Sequence, residues 1–183
     1  MIAEQLTQAT ALPQTLAEFM DWEPNDGFKY EWNDGELIRF IGMKKKEYYI
    51  VVLLNRLLLE KGYFNQGALV AETDVMLTGI QMRRPDIAYF TNEQVNEAKE
   101  GEDVIPEFVI EVISPNDDAE QVEKKIVEYF KAGVRVLWKI MPQSEVVYVY
   151  TARKIVKICT DDDVCSAAPV LPNFEITAGG LFV

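Results

Sequence analysis

The spacing of apolar positions changes period several times along this chain, and each change predicts an element. Thr15-Leu-Ala-Glu18 has the form of a capping box and predicts a short helix from Leu16 to about Trp22. Pro24-Asn25-Asp26-Gly27 is turn material. Residues 28–32 and 36–41 then read as strands on either side of Asn33-Asp34-Gly35. Asp-Gly supplies the positive φ angles that a tight hairpin needs. Residues 44–61 carry the run IVVLLNRLLL and stop at Gly62, which predicts a helix with a glycine cap, buried against a sheet over a wide face. Alternation returns at 68–77 and again at 84–90, predicting two strands, and the polar, acidic stretch 91–103 has room for a helical turn.

Residues 107–113 form a third strand, with Phe108, Ile110 and Val112 on one face. Asp117 or Asp118 caps a helix that runs to Ala132 and closes at Gly133. A strand at 134–140, a meander at 146–150 and 154–158, and one short strand after Pro169 complete the chain. The order predicts an α/β (α+β) fold: a mixed central sheet flanked by helices, an N-terminal hairpin and a C-terminal antiparallel extension. Residues 1–12 read as a loosely ordered leader and 13–183 as a single domain.

Composition narrows the chemistry. A chain of 183 residues with 49% hydrophobic and 26% charged content is ordinary for a soluble globular protein. No run approaches the roughly 20 apolar residues of a membrane span. MIAEQLTQAT lacks the basic and apolar regions of a signal peptide, so the expected location is the cytoplasm. Cys159 and Cys165 read as a reduced pair, with no CxxC or Cys/His cluster for zinc. The histidine count is 0, which removes Ser-His-Asp and Cys-His nucleophiles, His-Asn-His nucleases and HExxH zinc enzymes. Acid–base work falls to Asp, Glu, Lys or Tyr. A net charge of −12 argues against binding nucleic acid through a general basic surface. Any such contact needs a local basic patch and a bound metal.

The main chemical signal is a pair of carboxylates in apolar strands, Asp86 and Glu111, followed by Lys125 on a helix. A carboxylate set in a hydrophobic strand is costly unless a cation or hydrogen bonds compensate it. If the two strands are neighbours, both carboxylates can face the same way and hold a hard divalent cation such as Mg²⁺. The alternative is a structural ion pair for each, with Arg83, Arg84 or Lys125. At about 100° per residue, Val122, Ile126, Tyr129 and Phe130 form the sheet-facing stripe of the helix. Lys125 lies at its edge, able to snorkel towards Glu111, and Lys124 lies nearly opposite. A solvated lysine on a charged flank is the plainer reading of Lys125.

The stretches YEWNDGELI, RRPDIAYF, PEFVIEVISPNDD and KIVEYFKAGVRVLWKI, in that order, resemble the Uma-type endonucleases, members of the restriction-endonuclease-like PD-(D/E)xK superfamily. The likeness covers about 15–150. It implies a three-strand metal-binding core and metal-dependent cleavage of DNA phosphodiester bonds, with Mg²⁺ or Mn²⁺. It maps the family's Asp onto Asp86 and its Glu onto Glu111. The superfamily's lysine position is occupied by Ile113; in this branch the lysine has moved to the following helix, where Lys125 matches. Where relatives carry a histidine near the start of the long helix, this chain has Glu47, a carboxylate able to add a metal ligand.

Around this core, Glu31 and Glu36 flank the hairpin turn, which lies near the cleft in such proteins, so either could support the site, and of the two we choose Glu36. An exposed strand carboxylate is its bland reading. Lys44-Lys45-Lys46 opens a helix against its dipole, which makes Lys44 and Lys45 candidates for phosphate contact, extended by Arg83 and Arg84. A solvated face is the alternative. The first functional reading is a DNA endonuclease, expected as a homodimer because many nucleases of this fold dimerise to cut two strands. The second is a catalytically inactive descendant acting as a nucleic-acid-binding or protein-interaction module. The third is an assembly protein pairing through its exposed final strands.

Overall fold

A computed structural model describes residues 11–182, so all but the last two residues of the expected leader lie outside the described residues. The centre is a sheet of six strands in the order β10-β9-β8-β7-β6-β3. Its members are β3 (Gly67–Ala71), β6 (Ile87–Thr91), β7 (Phe108–Val112), β8 (Val136–Met141), β9 (Val146–Ala152) and β10 (Ile155–Cys159). Only β7 and β8 run parallel, joined by helix α4 (Ala119–Ala132). The other ladders are antiparallel, so the sheet is mixed.

Both faces of this sheet are covered. Helix α2 (Tyr48–Glu60) packs Ile50, Leu54 and Leu58 against Phe108, Ile110 and Trp138, joined by Phe174 and Leu181 from the C-terminal segment. Burying each such side chain contributes about 1.5–3 kcal/mol. On the opposite face, α4 packs Ile126 and Tyr129 against Ala88, Val109 and Leu137. β7 is therefore buried along its whole length, which is why PEFVIEVI reads as a near-continuous apolar run. The expected stripe of α4 is the face that packs, with Val122 and Phe130 at its margins. Asp118 caps α4 by accepting from Gln121 N at 2.9 Å, and Gly133 ends it at φ 119°.

The second sheet has the order β2-β1-β5-β4. Strands β1 (Lys29–Asn33) and β2 (Glu36–Phe40) form the expected hairpin, with Asn33 opposite Glu36. Asp34 and Gly35 both have positive φ, 49° and 87°, as a two-residue turn matched to strand twist requires. Helix α1 (Leu16–Met20) packs Phe19 against Trp32 at the hairpin's back.

Two expected strands are each divided. The alternation at 68–77 predicts one strand, but β3 ends at Ala71 and β4 (Val75–Thr78) joins the other sheet. The chain breaks at Glu72, whose φ is 50° and whose N–H donates to Asp86 O. The alternation continues across the break because Leu69 and Val75 each reach a core, but a different one. Likewise 84–90 is not one strand: β5 (Gln81–Arg83) and β6 flank Arg84-Pro85-Asp86. Proline lacks the N–H that a central ladder needs, so the strand ends before it and Asp86 stands at a corner rather than mid-strand. The polar stretch after β6 is a full helix, α3 (Asn92–Lys99), started by a Thr91–Gln94 capping box. The expected helix at 44–61 begins as a 3-10 turn over Lys45–Glu47 and leaves Tyr48, Val52 and Leu59 exposed. Strands β11 (Val164–Ser166) and β12 (Glu175–Thr177) pair in the tail, and both cysteines are free and buried.

Candidate active site

The antiparallel β6–β7 ladder pairs Ile87 with Ile110. Asp86 and Glu111 each lie one residue beyond that pair. Asp86 Oδ2 accepts from Val112 N at 2.6 Å, which docks the corner onto β7. Glu111 points to the α4 face, where Tyr129 Oη donates to its Oε1 at 2.7 Å and Lys125 Nζ approaches Oε2 at 3.2 Å. Asp86, Glu111 and Lys125 line one cleft of about 330 Å³, together with Glu31, Arg39, Lys44, Glu47 and Gln121. The sequence expectation that these three side chains share a place is met in space, and Lys124 instead lies outside, 3.6 Å from Glu36.

A third carboxylate completes the group. Glu31, on β1, places Oε1 3.0 Å from Lys125 Nζ. That oxygen also accepts from Arg84 N at 2.9 Å, and Oε2 accepts from Arg83 Nη1 at 2.9 Å. Arg83 is fully buried and donates from Nε and Nη2 to Glu128 Oε2 at 2.8 and 2.6 Å. Gln81 Nε2 links Glu128 Oε1, at 3.5 Å, to Asn33 Oδ1, at 2.7 Å.

The electrostatics follow from burial and from more negative than positive charge at the cleft floor. Burial pushes the Asp86 carboxyl well above its usual range, and the neighbouring Glu111 charge pushes the same way. Lys125 and the Val112 N–H offset this only in part. Glu111 is likewise raised, by burial first and by Glu31 after it, against Lys125 and Tyr129. Burial opposes the charge on Glu31 too, but Lys125 and Arg83 outweigh it and hold that carboxyl below its usual value. Lys125 itself is held up: burial lowers it, while Glu111, Glu31 and Asp86 together raise it further. Tyr129 is raised well above the phenol range by burial and by Glu111. The cleft floor thus carries an ammonium and two carboxyls whose charged forms are disfavoured, by burial first, and a divalent cation would favour those charged forms.

The donor set fits such a cation. Among the described residues nothing donates to Asp86 Oδ1, which remains free at the cleft. Among the same residues, no group of three or more Asp, Glu or Cys side chains stands ready to hold an ion alone. Two hard oxygen ligands with the rest of the shell left to water and phosphate is how Mg²⁺ is commonly bound.

Several expected contributors stand elsewhere. Glu36 is exposed on β2 beside Lys124; the hairpin carboxylate in the cleft is Glu31, because the two lie on opposite sides of the turn and only β1 pairs with β5. Arg83 is not available to phosphate, being enclosed between Glu31 and Glu128. Arg84 turns to Asp74, with Nε 2.6 Å from Oδ1, and lines a neighbouring groove. Lys44 lines the cleft and Lys45 does not. Glu47 is at the cleft wall, but its Oε2 accepts from Lys44 N at 2.9 Å and caps the 3-10 turn. Glu128 and Tyr129 have no assigned role from the sequence, and Glu31 stands there only as the alternative to Glu36. The available signal was a charge inside an aromatic strand (Tyr30-Glu31-Trp32) and a second carboxylate at the margin of the α4 stripe.

A search of curated proteins gives no match. A crystal structure of a putative nuclease from Anabaena variabilis aligns with TM-score 0.76, covering 93% of this chain and 98% of that one at 21% identity, which shows a shared fold. The family model named Uma2, described as "Putative restriction endonuclease", matches residues 16–179, and the chain belongs to that family.

Proposed function

We propose that this chain is a metal-dependent endonuclease that hydrolyses DNA phosphodiester bonds, with Asp86 and Glu111 holding Mg²⁺ or Mn²⁺ and Lys125 placed beside the attacking water. The observation that carries the reading is the meeting of Asp86, Glu111 and Lys125 at one cleft floor, with an oxygen of Asp86 left free. Membership of a family described as a restriction endonuclease supports nucleic acid as the substrate.

A divalent cation at this pair supplies Lewis-acid polarisation of the phosphate and of a water beside it. The chain's own groups set the geometry. Val112 N–H orients Asp86, and Tyr129 Oη fixes Glu111. Lys125, held charged, serves as a hydrogen-bond donor rather than a base, steadying the water and the charge that gathers on the phosphoryl oxygens during attack. Among the described residues, Lys44 and Arg39 at the cleft wall are cations placed for the flanking backbone.

Incubation of pure protein with plasmid DNA and Mn²⁺ tests the proposal. Nicking or linearisation is expected, and cleavage that survives Asp86→Ala overturns the assignment. The net charge of −12 favours one other reading, a non-catalytic binding module. Calorimetric titration with Mn²⁺ separates the two, since a module has no need of the ion. Light scattering checks the homodimer that cutting both strands calls for.

A further inference from the structure

The site holds more fixed charge than the proposed chemistry uses. Glu31, only 2% exposed, comes from the hairpin sheet rather than from the sheet that carries Asp86 and Glu111. Its contacts form a closed circuit. The circuit leaves α4 at Lys125, crosses to β1 at Glu31, passes through Arg83 on β5 and returns to α4 at Glu128, one turn further along. Each step is between 2.6 and 3.0 Å.

Stability does not account for this arrangement, because buried ion pairs are often no better than apolar groups of the same shape. What such a circuit does supply is position. A lysine ammonium is a compact point charge on a flexible stem, and one carboxylate alone lets it swing. Here Glu111 and Glu31 hold it from two elements. Arg83 meets Glu128 through Nε and Nη2 and meets Glu31 through Nη1, so Glu31 itself has little freedom. Arg84 N–H fixes its other oxygen.

We infer that Glu31 is a positioning residue that holds the Lys125 ammonium at the cleft floor, and that the buried Arg83–Glu128 pair holds Glu31. Its kinetic consequence rests on the nuclease proposal; its geometric one does not. The role of the hairpin sheet is then to fix the site's cation from outside the sheet that bears the carboxylates.

A double-mutant cycle with Glu31→Gln and Lys125→Met tests it. Glutamine keeps an oxygen for Arg84 N–H but removes the charge that holds the ammonium. Plasmid cleavage with Mn²⁺ should lose about 100-fold in kcat in Glu31→Gln, the scale of a misplacement near 1 Å, with KM little changed. In the Lys125→Met background the same substitution should cost nothing further. Losses that multiply instead overturn the inference, because a merely structural role is indifferent to Lys125. A second measurement needs no activity: ¹⁵N NMR of the metal-free protein should show a slowly exchanging Lys125 ammonium that disappears in Glu31→Gln. If the signal persists unchanged, the positioning role fails. If it disappears while wild-type protein cuts nothing, the nuclease proposal fails and the positioning role stands. Should Glu31→Gln not fold, Glu31→Asp takes its place in both measurements, with the same expected direction and the same overturning results.

Discussion

The carboxylate of Asp86 accepts a 2.6 Å hydrogen bond from the backbone N–H of Val112, the residue after Glu111. This bond fixes the corner left by Pro85 against the central strand. It brings two carboxylates to one end of the β6–β7 ladder, where burial raises both pKa values and the Glu111 charge raises that of Asp86 further. Two charged carboxylates there cost the fold stability, so if the pair holds a cation as proposed, stability and activity should part at this site.

Asp86→Asn should separate them. The amide oxygen can still accept from Val112 N–H, but the charge is gone. A carboxyl with a raised folded-state pKa contributes stability below its unfolded pKa, near 3.9, and loses it as pH rises through the folded value. At neutral pH the metal-free variant should melt higher than wild type, where a gain of about 1 kcal/mol appears as roughly 2–4 °C. Near pH ~3 the difference should vanish. Wild type should gain on adding Mn²⁺, by about 2.7 kcal/mol at 100 times Kd, and the variant should gain little. Thermal melts at the two pH values, with and without Mn²⁺, check this.

Lys125→Met should lower cleavage about 100- to 1,000-fold, the usual loss for one charge-stabilising donor. It should also change the alkaline limb of stability. A lysine whose folded-state pKa is raised stabilises the fold fully below its unfolded value, near 10.4, and that contribution is lost as pH rises through the folded value. Wild type should lose stability in strongly alkaline buffer for this reason. The methionine variant should lack that component in urea titrations across the same range.

Arg83→Met should be destabilising by about 3–5 kcal/mol, because it leaves Glu31 and Glu128 buried without their shared cation. Adding Glu31→Gln and Glu128→Gln to it should recover much of that loss, since no uncompensated charge then remains. Urea midpoints at constant m-value measure both. Glu31 has a lowered folded-state pKa, so its contribution is present above its unfolded value, about 4.3, and is lost as pH falls through the folded one.

Two surface substitutions calibrate these effects. Asp118→Ala, at the rim of the same cleft, removes the cap that accepts from Gln121 N and should cost about 1 kcal/mol. Glu36→Ala breaks only an exposed 3.6 Å contact with Lys124 and should change stability by less than about 0.5 kcal/mol, with cleavage unaffected.

Local chemistry made part of this readable in the chain. Asp34-Gly35 specifies the hairpin because its turn needs two positive φ values, and Asp118 and Gly133 bound α4 because helix ends must satisfy their own backbone groups. The helical period put Lys125 at the edge of the packed stripe and Lys124 outside it, and the structure has both there. Two features misled. Alternation ran on through Glu72, because both flanking segments are half-buried, although they belong to different sheets. Pro85 was a visible break that the surrounding apolar pattern hid.

What the sequence by itself determined is which residues lie on which face of each element, since that depends only on periods of two and 3.6 residues. What only the tertiary structure decided is which element lies across the cleft. Nothing within β1, β5 or α4 says that Glu31, Arg83 and Glu128 will close around Lys125. Those contacts span 45 and 52 residues of chain for the Arg83 pairs alone, and they form because two sheets and a helix pack in one arrangement, which no local period encodes.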